Sequence, residues 1–330
     1  MTSKPRPIAI VGAGPVGSIL GAHYANAGRD VVMVDASAAR CTQIERVGLQ
    51  VVGTQTVSAR PAAVERGLEA LKELAPEAIY ICTKTWALKG LLPALAEVAP
   101  ADALIVCYQN GIGPEEFASS YFPCGNIARG IANYAGAVEE DGRVNMQWFT
   151  PPNFIGPLDD ERLDEMQRIA AQLSSSGLET QAISFYEIKK KAFFKTILNS
   201  ALNALCANAG ITMRQAMTYR HTRALARLLL REGLSVATAV GYHYGEDSLN
   251  TCLGYLDKGG DHLPSMWTDL QRKSPTEIEY INGAIARIGL MFKNVDVDVN
   301  LFFTSLIVTQ EIKSGVRAPD EVPEYLEHMA

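Results

Sequence analysis

The sequence predicts an α/β N-terminal domain with a mostly parallel sheet over residues 1–184, followed by an all-α C-terminal domain over residues 185–330. Three observations predict it. Short apolar runs alternate with helical segments through the first part of the chain, the pattern of strands joined by crossover helices. From Tyr186 on, helical periodicities (186–207, 214–244, 275–289 and 298–313) replace strand-like runs almost completely. A chain of 330 residues is also long for one ordinary core, so two domains are expected.

The first 35 residues run strand, glycine turn, helix, strand, acid. Pro7-Ile8-Ala9-Ile10-Val11 is a short β-branched run, and Gly12-Ala13-Gly14-Pro15-Val16-Gly17 fits G-x-G-x-x-G. Val31-Val32-Met33-Val34 then ends at Asp35. In that context the glycines read as a dinucleotide fingerprint, the opening of a Rossmann-type domain. Gly12 permits a tight turn, Gly14 lets backbone N–H groups approach a pyrophosphate, and Gly17 lets helix and strand pack closely. The diphosphate is expected on the helix N-terminus, where unpaired N–H groups and the dipole favour an anion. Asp35 is placed to accept hydrogen bonds from the adenosine ribose hydroxyls and to repel a 2′-phosphate, which favours NAD, with NADP as the alternative. A methyl-donor site or a purely structural βαβ start are the competing readings of the glycine turn.

Later strands follow the same logic. Ala78-Ile79-Tyr80-Ile81-Cys82 and Ala103-Leu104-Ile105-Val106-Cys107 are continuous apolar runs, as expected for strands buried on both faces. Polar residues follow each: Thr83-Lys84 after the first, and Gln109-Asn110-Gly111 shortly after the second. C-terminal strand ends form the ligand crevice of an open α/β sheet, so these are candidate site residues. Residues 126–157 read as short strand-like pieces punctuated by Gly and Pro. Asp160 to Leu173 reads as an amphipathic helix carrying Leu163, Met166, Ile169, Ala170 and Leu173 on one side.

Composition narrows the function classes. The formal net charge of −6 and the lack of a long basic block argue against nucleic-acid or anionic-membrane partners. The Lys189-Lys190-Lys191 triplet reads as the solvated flank of a helix. Six cysteines without a C-x-x-C pair read as buried reduced thiols, which implies a cytoplasmic protein. Lys4 and Arg6 precede an apolar stretch as in a signal peptide, but glycines and Pro15 interrupt it, and no apolar run is long enough to span a bilayer. His23, His221, His243 and His328 show no metal-ligand spacing, so no metal is expected.

In the helical half, Lys195, Asn199 and Asn203 are spaced i, i+4, i+8 among the apolar Ile197, Leu198, Ala201, Leu202 and Leu205. Each four-residue step drifts only about 40° on a helix, so the three share one broad face. They are either helix–helix hydrogen-bonding residues or a substrate-facing stripe. Ser274-Pro275-Thr276-Glu277 reads as a helix start with Ser274 as N-cap, Pro275 at N1 and Glu277 closing a capping box, a complete structural explanation of Glu277.

Ser265-Met266-Trp267-Thr268-Asp269 followed by Thr276-Glu277-Ile278-Glu279-Tyr280-Ile281-Asn282-Gly283 resembles the "SMxxD … TEIDxING" signature of the ketopantoate reductase family. Lys195-x-x-x-Asn199-x-x-x-Asn203 matches the family's "KxxxNxxxN" helix, and Gln109-Asn110-Gly111 its "QNG" turn. Lys84 stands where the family has a lysine after a sheet strand. The resemblance runs from about Ile8 to Glu311. It implies Lys195 as general acid and Glu277 as its partner at the substrate hydroxyl. Asn110, Asn199, Asn203 and Ser265 would hold the substrate's polar groups, with Lys84 and Asn110 also meeting the cofactor.

That assignment fits the chemistry of a 2-keto acid, which needs a hydride at C2, a proton donor at the ketone oxygen and neutral donors for its carboxylate. Two departures matter. NADP-specific members carry Arg after the second strand, whereas this chain has Asp35-Ala36-Ser37, and the nearest guanidinium, Arg40, reads as a surface helix residue. His262 stands where ketopantoate-specific members have Asn, which makes it a candidate substrate contact. The family also includes NAD-dependent D-mandelate dehydrogenases. The resemblance therefore implies an NAD-preferring reductase forming a D-2-hydroxy acid in a cleft between its domains. A true 2-dehydropantoate 2-reductase of pantothenate biosynthesis and a non-catalytic NAD(H)-binding regulator are the alternatives. A homodimer through the helical domain is also expected.

Overall fold

A computed structural model describes residues 5–321, which divide into two compact units, 5–109 with 113–189 and 110–112 with 190–321. Among the described residues the first unit carries twelve strands: β1 Ile8–Val11, β2 Val31–Val34, β3 Leu49–Gly53, β4 Val57–Ala59, β5 Ala63–Glu65, β6 Ala78–Ile81, β7 Leu104–Cys107, β8 Ile127–Ile131, β9 Tyr134–Val138, β10 Val144–Phe149, β11 Asn153–Pro157 and β12 Thr180–Ala182. Eight form the main sheet in the order β12-β11-β8-β7-β6-β1-β2-β5. All its pairings are parallel except β8 with β11.

The period of two in these strands sorts their side chains into two cores. Ile8, Ile10, Val31, Met33, Tyr80, Leu104 and Val106 enter one, while Ala9, Val11, Val32, Val34, Ile79, Ile81 and Ile105 enter the other. Both faces of the sheet are thereby covered, as the continuous apolar runs require. The remaining strands make a separate sheet, β4-β3-β10-β9, packed on the helix Pro15–Asn26. The expected helix at 160–173 forms as a 3-10 turn at Asp160–Arg162 and a helix at Leu163–Ser175.

In the second unit the helix Phe185–Ala209, from residue 190 on, and the helices Met213–Thr218, Arg220–Ala239, Ser248–Leu256, Ser265–Gln271, Asn282–Gly289 and Asp298–Lys313 surround a third core that includes Ile197, Leu229, Val236, Ile285 and Ile307. Two expected helices are corrected. The 214–244 periodicity breaks at Tyr219, whose backbone is extended, and a Thr212–Gln215 capping box starts the shorter first piece. The 275–289 helix begins only at Asn282, because Ile281 (φ −109°, ψ −92°) leaves the helical region and a 3-10 turn, Ile278–Tyr280, precedes it.

Buried acceptors hold these helices together. Glu232, on the Arg220–Ala239 helix, accepts from Val299 N at 2.8 Å, Asn300 N at 2.8 Å and Asn300 Nδ2 at 2.7 Å, so it caps the Asp298–Lys313 helix from outside. Asn282 Nδ2 donates to Ser200 O at 3.0 Å and to Asn300 Oδ1 at 3.1 Å, linking three helices.

His23, on the Pro15–Asn26 helix, lies with Nδ1 2.8 Å from Ser176 O, and its Nε2 is buried with no hydrogen-bond partner among the described residues. Burial lowers its pKa, outweighing the Ser176 hydrogen bond that raises it. The unfolded chain therefore takes up the proton first. Stability should be complete above the ordinary histidine value of about 6.5 and fall as pH drops through it. Urea unfolding across this range checks the slope, and His23→Asn should remove the part this residue contributes.

Candidate active site

The glycine turn has the geometry its sequence suggests. Gly12 has φ +103°, and a Cβ there would come within 2.8 Å of the Cys82 carbonyl carbon. At Gly17 a Cβ would lie 2.0 Å from Gly12 O, so only glycine lets the Pro15–Asn26 helix approach β1 this closely. A Cβ on Gly14, by contrast, would meet nothing within 4 Å. Gly14 caps the helix without a side-chain acceptor, and the first turn holds no acid, so its N–H groups remain suited to an anion. Beside Gly12, Thr83 Oγ1 is buried with no hydrogen-bond partner among the described residues. Such a group needs a partner, and a bound molecule can supply one. These features fit a dinucleotide, with Gly12 to Gly17 at its diphosphate.

Asp35, at the end of β2, accepts from Ala13 N at 2.6 Å and Ser37 N at 2.8 Å. The carboxylate is thus fixed where the second strand ends. Arg40 is not a surface residue. It is 9% exposed and donates to Ala13 O at 2.9 Å, Gly142 O at 2.8 Å and Ser18 Oγ at 2.8 Å. Burial lowers its pKa, with Asp35 opposing the shift. Its fork is spent on the turn and the β9–β10 hairpin.

Two strand ends carry the next candidates. Lys84 follows β6 and starts the 3-10 turn Thr85–Ala87. After β7, Gln109 is buried, and neither of its amide atoms has a hydrogen-bond partner among the described residues. Its carbonyl accepts from Arg129 NH2 at 2.6 Å, while Arg129 NH1 lies 2.9 Å from Glu115 Oε2. Lys189 Nζ lies 3.3 Å from Glu115 Oε1 and also pairs with Glu116. Burial alone would raise the Glu115 carboxyl, but Arg129 and Lys189 more than offset it and hold it below the usual range. The expected solvated lysine flank is corrected accordingly, since Lys189 is only 17% exposed and Lys190 sits over the Tyr244 ring.

Residues 110–112 belong to the helical unit. Ile112 N donates to Tyr280 O at 2.9 Å, and a Cβ on Gly111 would lie 2.4 Å from that oxygen. Asn110 is thereby brought to the segment that carries Glu277. That segment is held from both sides: Thr276 N donates to Glu311 Oε1 at 2.7 Å, and Arg317 joins Glu279 at 2.9 Å to Glu311 at 3.0 Å. Glu277 is 4% exposed and precedes the 3-10 turn, so the expected capping box does not form. Its burial has no helix-capping explanation.

On the Phe185–Ala209 helix, Lys195 and Asn199 are half-buried and Asn203 buried, with Ile197, Leu198, Ala201, Leu202 and Leu205 all in the core. Ser265 is exposed in the first turn of its helix, and His262 is half-buried, its pKa lowered by burial against the pull of Asp261. Arg129, Glu115 and Glu232 went unread in the sequence, because each acts through a partner far away in the chain. Among the described residues no cluster of three His, Cys, Asp or Glu side chains is arranged to hold a metal.

A mostly parallel α/β sheet with a glycine turn of dinucleotide type, followed by a helical unit with a Lys/Asn stripe and a buried glutamate, defines a class: a Rossmann-type oxidoreductase with a helical second domain. The chain belongs to the ketopantoate reductase family. Ketopantoate reductase PanE/ApbA matches residues 8–159, and its C-terminal counterpart, Ketopantoate reductase PanE/ApbA C terminal, matches residues 187–311. The 2-dehydropantoate 2-reductase of Archaeoglobus fulgidus is 28% identical over 314 residues, 94% of this chain and 98% of that one. Among solved structures, D-mandelate dehydrogenase with NADH and anilino(oxo)acetate superposes with a TM-score of 0.84 at 26% identity, over 94% of this chain and 100% of that one. A PanE/ApbA family ketopantoate reductase from Ralstonia eutropha JMP134 shares the fold, with a TM-score of 0.83 at 22% identity, over 94% of this chain and 99% of that one.

The contrast between Gly14 and Gly17 is testable. Gly14→Ala should leave the melting temperature unchanged and weaken NADH binding about tenfold or more, read by nucleotide fluorescence. Gly17→Ala should cost about 1–3 kcal/mol of stability, as overpacking does, whether or not nucleotide is present.

Proposed function

We propose that this protein is an NAD-preferring 2-keto acid reductase that forms a D-2-hydroxy acid. The observation that carries the catalytic part is the buried carboxylate of Glu277 on a clamped, non-helical segment. A carboxylate buried on such a segment suits a part in catalysis. In this reading Lys195 donates the proton to the ketone oxygen and Glu277 orients it. Asn110, Asn199, Asn203 and Ser265 hold the carboxylate and neighbouring polar groups, and His262 shapes the side-chain pocket. Reduced nicotinamide, when bound, supplies the hydride, and Lys84 lies toward both cofactor and substrate.

The preference for NAD is supported by Asp35, whose charge is fixed by two backbone donors, and by Arg40, which is turned to internal acceptors. The NADH-bound D-mandelate dehydrogenase neighbour supports the same cofactor. A second reading, 2-dehydropantoate 2-reductase of pantothenate biosynthesis, is favoured by the 28% identical relative that carries that name. Buried thiols at Cys41, Cys107, Cys206 and Cys252 support a cytoplasmic setting. No helix among the described residues is long and apolar enough to cross a membrane. The exposed Leu290, Met291 and Phe302 support a homodimer through the helical unit.

Initial rates of NADH and NADPH oxidation with ketopantoate, 2-ketoisovalerate and phenylglyoxylate test the proposal. Preference for NADH with a keto acid other than ketopantoate supports it, and preference for ketopantoate selects the second reading. NADH binding without any turnover would instead make the protein a non-catalytic regulator. Lys195→Ala should lower kcat by about 10²–10⁴ while NADH still binds, the usual size of an acid–base contribution. Near wild-type turnover would remove Lys195 from the chemistry. Asp35→Ser should relax discrimination against NADPH, so an unchanged ratio of kcat/KM values for the two cofactors would show that Asp35 does not set it.

A further inference from the structure

The helical unit carries a concave surface lined by none of the residues assigned to the site above. A groove of about 460 Å³ runs between the helices Arg220–Ala239 and Ser248–Leu256, with Arg220, Arg223, Arg227, Asn250, Gly254 and Asp257 along it. The three arginines are spaced i, i+3, i+7, so they project from one helix face into one wall. Arg223 is joined to Asp257 through NH1 and, at 3.0 Å, through NH2. Arg220 and Arg227 are exposed. Asn250 is engaged by the nearby acid Asp247, at 2.7 Å. Along the groove itself one carboxylate therefore faces three guanidinium groups, on a chain whose formal net charge is −6.

The positive charge also runs against its local setting. Arg220 and Arg223 stand in the first turn of their helix, which has no acid there and no side-chain cap from Tyr219. Cations are disfavoured at that end of a helix dipole; Asp257 offsets this for Arg223, whereas Arg220 has no such partner among the described residues. The groove has room for an anion. A Cβ on Gly254 would meet nothing within 4 Å, and the volume falls within the range of small-molecule sites.

We propose that this groove is a second binding site, for a small molecule bearing a phosphate or diphosphate group. Arg220 and Arg227 grip the anion, and Arg223, held by Asp257, completes the positive wall. Guanidinium forks suit an anion with several oxygens, which they bind by paired N–H donors. A second copy of this chain is the competing occupant, and sedimentation of the variants separates the two. The inference does not depend on which keto acid the enzyme reduces.

The test is calorimetric titration of the full chain, saturated with NADH to keep the dinucleotide turn filled, with inorganic pyrophosphate at low ionic strength. One equivalent should bind with a Kd below about 1 mM, and added salt should weaken it. Arg220→Gln with Arg227→Gln should weaken it about tenfold or more, with Arg227→Gln alone intermediate. Keto acid reduction without pyrophosphate should be unchanged in these variants. No binding by the wild-type chain, or equal binding by wild type and double variant, overturns the proposal. A double variant that alters sedimentation while leaving pyrophosphate binding intact also overturns it, by making this face a contact between copies.

Discussion

Close approach of the Pro15–Asn26 helix to β1 is the constraint on which the nucleotide end is built. It exists because residue 17 has no side chain to strike Gly12 O. Once the helix is that close, the turn before it becomes a junction. Ala13 gives its N–H to Asp35, while its carbonyl accepts from Ser18 Oγ and Arg40 Nε, both at 2.9 Å. The second strand, the helix and the helix that follows β2 are all tied to one peptide. The small sheet β4-β3-β10-β9 then packs on the same helix, and Arg40 reaches it through Gly142 O. A rigid turn with unspent N–H groups is the state an anion site needs, because the donors are aimed before the ligand arrives.

A second level of order comes from charges kept out of water. Arg129 and Glu115 are each about 3% exposed, a pairing whose desolvation cost can match its attraction. Its value here is positional. Arg129 also holds Gln109 O, so the strand end is fixed just before the chain enters Asn110. Glu311 works the same way in the helical unit, where it holds Thr276 N and Arg317 on either side of Glu277. In each case a buried charge places backbone next to a residue proposed to meet substrate. The backbone beside the proposed site is therefore held by buried charges from other segments of the chain.

What was legible in the sequence was what local chemistry dictates. Runs such as Ile79-Tyr80-Ile81 and Leu104-Ile105-Val106 need two covered faces, and both are covered. The glycine spacing, Asp35 and the Lys195 stripe follow fixed periods and fall where those periods place them. The small sheet was not legible as a sheet. Its strands are short and partly exposed, and β10 pairs in parallel with β3, almost a hundred residues earlier in the chain. Arg40 and Lys189 were misread for the same reason: a helix surface pattern shows which way a side chain faces, not which distant carbonyl or carboxylate waits there. The break at Tyr219 was hidden because apolar positions continue in helical phase on both sides of it.

Glu277 shows how a strong local signal loses to tertiary structure. Ser274-Pro275-Thr276-Glu277 has every residue of a helix start, and isolated from the protein it would favour one. In the folded chain Thr276 N is taken by Glu311 and Arg317 draws Glu279, while Tyr280 O accepts from Ile112. These three contacts hold the segment open, and the helix waits until Asn282, whose side chain is itself bound to Ser200 O and Asn300. The stabilisation given up is of the order of a capping interaction, about 1 kcal/mol. What the fold gains is a carboxylate buried on the same segment that receives the Asn110 turn. A local preference overridden at such a position is the mark expected of a functional site.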